Sequence, residues 1–269
     1  MKQIIFLWML SMPIIVMAQD KPMSARQQKK ADNKAKIERL IQQEEEGAII
    51  FQKQRAFGIK LNTDGYGILF EKGKFKTVNK TNLWWVELSE RKHPKEEKFA
   101  NGDPIYGFVV GNPYVYGKIN NFYNFNIGIA QQKLIGGKGN KNGVATSLLY
   151  GGGIAVALMK PYYLEVQETS SNQTKLIKYA DDTLTFLNPN RILGAAGFGK
   201  GFSEINYVPG AHAKVSLRFD YGRYNETLSA IEVGINATFY SKKLQQMAQN
   251  KQNNLFINAY ATILFGRRK

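Results

Sequence analysis

Residues 229–241, SAIEVGINATFYS, alternate in character: Ile231, Val233, Ile235, Ala237 and Phe239 are apolar, and Glu232, Gly234, Asn236 and Thr238 stand between them. A period of two is the strand period, because successive side chains of a strand point to opposite faces. The same alternation recurs along the chain and predicts eight strands. The first runs from Ile49 to Leu61, with Phe57, Ile59 and Leu61 on one face and Gly58 and Lys60 on the other. The Asp-Gly of NTDG (62–65) reads as a hairpin turn. It leads into a second strand with Tyr66, Ile68 and Phe70 against Gly67, Leu69 and Glu71. The third sets Trp84, Val86 and Leu88 against Trp85, Glu87, Ser89 and Arg91, and the fourth sets Tyr123, Phe125, Ile127 and Ile129 against Asn124, Asn126 and Gly128. In the fifth, Leu148, Tyr150, Ile154 and Val156 oppose Gly151, Gly153 and Ala155. The sixth places Val215, Leu217, Phe219 and Tyr221 opposite His212, Lys214, Ser216, Arg218 and Asp220. The alternating stretch 229–241 is the seventh, and NLFINAYATILFG (253–265) is the eighth.

Strands with one apolar and one polar face fit two architectures. In a sandwich the apolar faces pack together; in a membrane barrel they meet lipid and the polar faces line the lumen. The connections separate the two. From a periplasmic N-terminus, the connections facing the periplasm are short (77–81, 136–142, 222–225), and those facing outward are long (93–120, 160–210, 240–253), apart from NTDG. Outer-membrane barrels show this alternation, and a sandwich has no reason to. The expected fold is therefore all-β: an eight-stranded antiparallel transmembrane barrel with a filled, polar lumen, preceded by a polar or helical periplasmic segment. Ten strands remain open if 100–117 or 160–210 contains a further hairpin. The expected lumen network comprises Lys60, Glu71, Glu87, Arg91, Lys214, Arg218, Asp220 and Glu232. In so narrow an interior, buried charges of both signs must pair or be hydrogen-bonded, so Glu232 is expected to be balanced by Arg218 or Lys214 on the neighbouring strand.

Composition adds compartment and partners. The first eighteen residues, MKQIIFLWMLSMPIIVMA, carry Lys2, a short apolar run and small or compact residues before Gln19, the layout of a cleaved secretory signal. Residues 19–46 are a polar periplasmic tail or helix, and 47–269 form the barrel. No later segment approaches the roughly 20 apolar residues of a membrane helix, a test that barrels escape. There is no cysteine among the 269 residues, hence neither a disulfide nor a lipidation site. The net charge of +16 suits outer-membrane lipid, lipopolysaccharide or acidic protein surfaces, and the signal and barrel direct it away from nucleic acid.

The last strand also resembles the C-terminal assembly signal of outer-membrane barrels, in Asn258, Ile263 and Phe265, although Tyr260 stands where glycine is usual and GRRK follows the aromatic. Residues 47–269 resemble the small eight-stranded barrels of Bacteroidota outer membranes, most closely in RAFGIKLNTDGYGILFEKGKFKTVNKTNLWWVELSERKHPKE (55–96). That resemblance implies an accessory subunit of a larger outer-membrane machine, such as the β-barrel assembly complex or a secretion apparatus, with outer-membrane or periplasmic proteins as partners.

Catalytic chemistry finds little footing. His93 stands in a charged loop start, ERKHPKEE. His212 shares a strand face with Ser216, the nearest approach to the site of a lipid-modifying enzyme, but four residues along a strand span roughly 13 Å, too far for a base to activate a serine. GAAGFGKG (194–201) approaches a phosphate loop but has Gly201 in place of the required Ser or Thr. Asp181 and Asp182 with Glu165 and Glu168 form an acidic patch that reads as solvated rather than as a cation site. No cofactor or metal is expected. The aromatic stretches 100–117 and 161–166 are either interaction surfaces or a cap over the barrel mouth. The function expected is a non-enzymatic structural or accessory role; a lipid-modifying enzyme and a small porin or ligand-binding barrel are the alternatives.

Overall fold

The computed structural model describes residues 26, 28–35, 38, 51–102, 109–138, 143–168, 173–222 and 226–269, with side chains omitted at 101, 102, 109 and 110. The signal expected at 1–18 and most of the 19–46 tail lie outside the described residues; of the tail, residues 28–35 are helical and exposed.

Eight long strands form a closed antiparallel ring: β1 (Lys53–Asn62), β2 (Gly65–Thr77), β3 (Lys80–Arg91), β4 (Asn120–Gly136), β5 (Ala145–Pro161), β6 (Asn206–Asp220), β7 (Thr227–Leu244) and β8 (Asn253–Arg268). Each pairs with the next in sequence, and β1 closes on β8 with Phe57 opposite Phe265 and Ile59 opposite Ile263. Closure leaves no unpaired sheet edge. Burial alternates along every strand, as in the strict outward–inward repeat of β1 and β3. Outward stand Phe57, Ile68, Trp84, Ile127, Ile154, Val215, Ile235 and Ile263, all substantially exposed. On β8 the outward apolar run from Leu255 to Phe265 covers about 33 Å of strand, or about 25 Å along the axis at a tilt of about 40°, the height of a membrane barrel's apolar band.

At the end holding the chain's C-terminus, β2–β3, β4–β5 and β6–β7 are joined by short connections; at the other, β1–β2 turns through Thr63 and Asp64 alone. Gly65, expected to be part of that turn, already belongs to β2. A Cβ there would stand 2.0 Å from the Glu90 carbonyl oxygen, so its role is close approach rather than turn geometry. The β7–β8 connection is shorter than the sequence suggested, because β7 continues past an irregularity after Phe239 to Leu244.

The two long connections do contain hairpins, but none joins the barrel. Lys98–Gly102 pairs with Val109–Val115, and Tyr163–Gln167 is the middle strand between Ile192–Ala195 and Thr174–Lys178. Tyr114, Leu164, Val166, Ile177, Phe186 and Ile192 bury one another there. Among the described residues, Tyr114 of the first aromatic stretch and Tyr162, Leu164 and Val166 of the second thus help build a second hydrophobic core, a cap with its own interior. Asp182 accepts from the Thr185 amide (3.1 Å) to start the helical turn that delivers Phe186 to it. The cap is tied to the β7–β8 connection by backbone bonds, Ile119 N to Gln246 O and Ala248 N to Gly117 O.

Candidate functional site: the filled lumen

The inward faces bring polar and charged side chains from opposite walls into contact. Arg218 on β6 reaches across to Glu71 on β2 through two parallel bonds (2.7 and 2.6 Å), the geometry a planar guanidinium offers a carboxylate. The same side chain bonds Glu232 on neighbouring β7 through Nε (3.1 Å) and Nη2 (2.6 Å). Gln54 donates to Glu71 (3.1 Å); Ser216 (2.9 Å) and Tyr260 (2.6 Å) donate to Glu232, with Lys214 at 3.5 Å. Every carboxylate oxygen in this cluster has a partner. Apolar side chains are interleaved with it: Ala56, Leu69, Leu83, Trp85, Leu149, Ala230 and Leu264 form one buried cluster, with Leu69 two residues from Glu71 and Ala230 two from Glu232.

Further along the lumen, Lys60 pairs with Glu87 at 2.8 Å and sits 4.1 Å from the Tyr260 ring centre, while Lys214 stands 4.4 Å from that of Trp85. Toward the cap, Arg91 donates to Thr238 (3.3 Å), lies 3.5 Å from Asp64 and faces the rings of Phe122 and Phe256. Those rings and Tyr240 close an aromatic plug, and the Tyr240 hydroxyl donates to Asn124 (2.8 Å). Lys60, Arg91, Lys214 and Arg218 are thus matched by Glu71, Glu87, Glu232 and Asp64. Neutrality is what a low-dielectric interior requires. Gly128 makes one of these contacts possible, since a Cβ there would lie 2.6 Å from the Trp85 ring.

Lys60, Glu71, Glu87, Arg91, Lys214, Arg218 and Glu232 are all buried inside the ring. Asp220 is buried too but belongs to the short-turn rim: it pairs with Arg268, lies 3.7 Å from Lys138 and accepts from the Gly222 amide. Asn258 faces inward near Thr63, and Ile263 and Phe265 face outward. The pattern had not singled out Gln54, Thr238, Tyr240 and Tyr260 as network members. Their parity was visible, since Tyr260 shares the face of Asn258 and Thr262, but which opposing wall each meets depends on ring closure.

The remaining candidates sit apart. His212 Nδ1 meets Thr238 (3.1 Å) and the Ser216 hydroxyl donates to Glu232, so neither serves the other. The His93 Nδ1 accepts from the Lys95 amide (3.2 Å), and burial lowers this imidazole's pKa. Residues 194–201 lead into a three-residue 3-10 turn, Phe202–Glu204. Asp181 lies 3.8 Å from Lys178, and among the described residues no three acidic or histidine side chains converge on a metal position.

These features define a closed eight-stranded β-barrel with an apolar outer face, a plugged ionic lumen and a folded cap. No protein-family model matches the chain, and no curated protein matches it. Among solved structures it is similar in fold to Ail, the attachment invasion locus protein of Yersinia pestis (7% identity, 81% of this chain and 99% of that one, TM-score 0.36). It is also similar to Neisserial surface protein A (8%, 81% and 95%, 0.34) and to the N-terminal β-barrel domain of Pseudomonas aeruginosa OprF (9%, 80% and 96%, 0.32).

Proposed function

We propose that this chain is an outer-membrane barrel, set with its short turns in the periplasm and its cap outside, that serves as a non-enzymatic accessory subunit of a larger envelope complex for outer-membrane protein assembly or secretion. The apolar band supports membrane insertion. Buried side chains fill the lumen, which supports placing the working surfaces beyond the bilayer. One observation carries the reading: the cap buries a core of its own yet still exposes Leu184 (86%) and Phe198 (73%). Apolar side chains held out on a folded platform mark surfaces that meet other proteins.

Purification of the tagged chain in gentle detergent, with mass spectrometry of what accompanies it, tests this. The expected result is one envelope protein in stoichiometric yield, lost from the Leu184→Asp and Phe198→Asp variants. Recovery of the barrel alone and monodisperse would overturn the accessory role.

A further inference from the structure

The outward face of the barrel changes character abruptly at the short-turn end. Along β1 the apolar sequence Leu61, Ile59, Phe57 gives way to Arg55 and Lys53; along β2, Phe70 gives way to Lys72 and Lys74; β3 begins with Lys80, and Lys133 faces outward near the end of β4. Register sets these cations directly opposite one another: Lys53 against Lys74, Arg55 against Lys72, Lys80 against Lys133. Like charges facing each other across a ladder are destabilising. Among the described residues none of the six has an ion pair: the salt bridges of the protein lie in the lumen, at the Asp220 rim and in the outer loops. A repulsive arrangement on four neighbouring strands of one rim calls for an anionic surface at that height.

Beside this rim the outer wall holds a groove of about 710 Å³. Lys53, Lys72 and Lys74 line it from β1 and β2, and Asn82, Trp84, Ile129, Gln131 and Tyr150 line it from β3, β4 and β5, with Lys72 in register with Trp84 and Gln131 with Tyr150. The lining is organised by side-chain bonds, Tyr150 hydroxyl to Gln131 and Gln131 to Asn82. Cations and apolar side chains side by side in one groove match the two parts of one molecule, a phosphate headgroup and its acyl chain, with aromatic rings of the kind that sit at a bilayer interface among the lining.

We infer that the rim and groove bind an anionic phospholipid of the periplasmic leaflet, with Lys53, Lys72 and Lys74 on the phosphate and Trp84, Ile129 and Tyr150 along the acyl chain. The inference rests on the membrane orientation proposed above. A lipid held there offsets the cross-strand repulsion and fixes the barrel's depth in the membrane. Another anion within the chain is the acidic run Glu44–Glu46, just before β1 in sequence; the experiment distinguishes it.

The full chain is folded into vesicles of phosphatidylethanolamine containing a minor fraction of phosphatidylglycerol, extracted gently, and its retained lipid measured by native mass spectrometry. The expected result is enrichment of phosphatidylglycerol over phosphatidylethanolamine by about tenfold, weakening with salt. Enrichment should disappear in Lys53→Gln/Lys72→Gln/Lys74→Gln and persist in Lys242→Gln/Lys243→Gln at the opposite end. Lys72→Gln alone, a single change at a half-buried, outward-facing position, should show partial loss if the triple variant folds poorly. No enrichment in a wild-type chain that has folded into the vesicles overturns the lipid site while leaving the membrane barrel standing. Failure to insert at all overturns the barrel reading. If enrichment appears only after Glu44, Glu45 and Glu46 are all changed to Gln, the chain's own acidic run is the occupant and the lipid assignment is wrong.

Discussion

Two regions of the lumen, both lined with buried charge, are built differently. Around Arg218, all four carboxylate oxygens of Glu71 and Glu232 accept bonds from the protein. Around Glu87, the protein leaves polar atoms without protein partners: Glu87 Oε1, Ser89 Oγ, both amide atoms of Asn126 and His212 Nε2. Glu87 and Asn126 face one another in register across β3 and β4. Buried polar atoms of this kind are met by water, which typically makes about three bonds in such sites. The first region is thus an ionic lattice spanning opposite walls, and the second is a polar seam with few side-chain bonds of its own. The difference teaches where the barrel's rigidity resides: a guanidinium that ties β2, β6 and β7 together cannot be relaxed locally, whereas a seam with few protein bonds can.

The largest effect should come from Arg218→Met, which leaves Glu71 and Glu232 buried without their cation. A loss of about 3–5 kcal/mol is expected, the scale for breaking a buried ion pair, read from urea unfolding of the vesicle-inserted chain. Adding Glu71→Gln and Glu232→Gln should recover much of it. Next is Gly128→Val, which drives a side chain against the Trp85 ring and the Gly152 carbonyl oxygen. It should cost about 1–3 kcal/mol as overpacking, partly relieved by Trp85→Leu. In the seam around Glu87, Asn126→Leu should change stability by no more than about 1 kcal/mol, because its side chain has no protein bonds to lose. If that change cost as much as Arg218→Met, the contrast between the two regions would be wrong.

The smallest effect concerns the cap. The hydrogen bond from Lys178 holds the Glu204 carboxyl below its usual pKa, reinforced by that from Tyr163, and the same Glu204 bond holds Lys178 above its own. A carboxyl depressed by folding stabilises above its unfolded value and loses this as pH falls through the folded one. A lysine raised by folding stabilises below its ordinary value and loses this as pH rises through the folded one. Both groups are solvent-facing, so the protection of amides over residues 163–204, with the intrinsic pH dependence of exchange divided out, should stay flat around neutral pH and fall modestly at the acid and alkaline ends.

The faces of all eight barrel strands were legible in the sequence, because period two is imposed residue by residue: Lys60 against Ile59, Trp85 against Trp84, Glu232 against Ile231. Neighbouring contacts such as Glu232 with Arg218 and Lys214 followed from strand adjacency. The bridge from Arg218 to Glu71 did not, since 147 residues separate the two and only closure brings β2 and β6 face to face. The cap was equally opaque. Its strands are four to seven residues long, too short for alternation to separate a buried face from an exposed one. Tyr114 and Leu164 therefore fitted an interaction surface and a cap over the barrel mouth equally well, until their shared core decided for the cap.

Trp84 and Trp85 are neighbours with opposite fates, 40% and 1% exposed. Apart from Trp8 they are the only tryptophans in the chain. In a Trp8→Phe background, Trp85→Phe leaves the outward ring as sole reporter and Trp84→Phe leaves the inward one. In vesicles of brominated lipid, Trp84 should be strongly quenched and Trp85 hardly at all. Equal quenching of both, or of neither, would contradict a closed barrel that spans the membrane around a filled lumen.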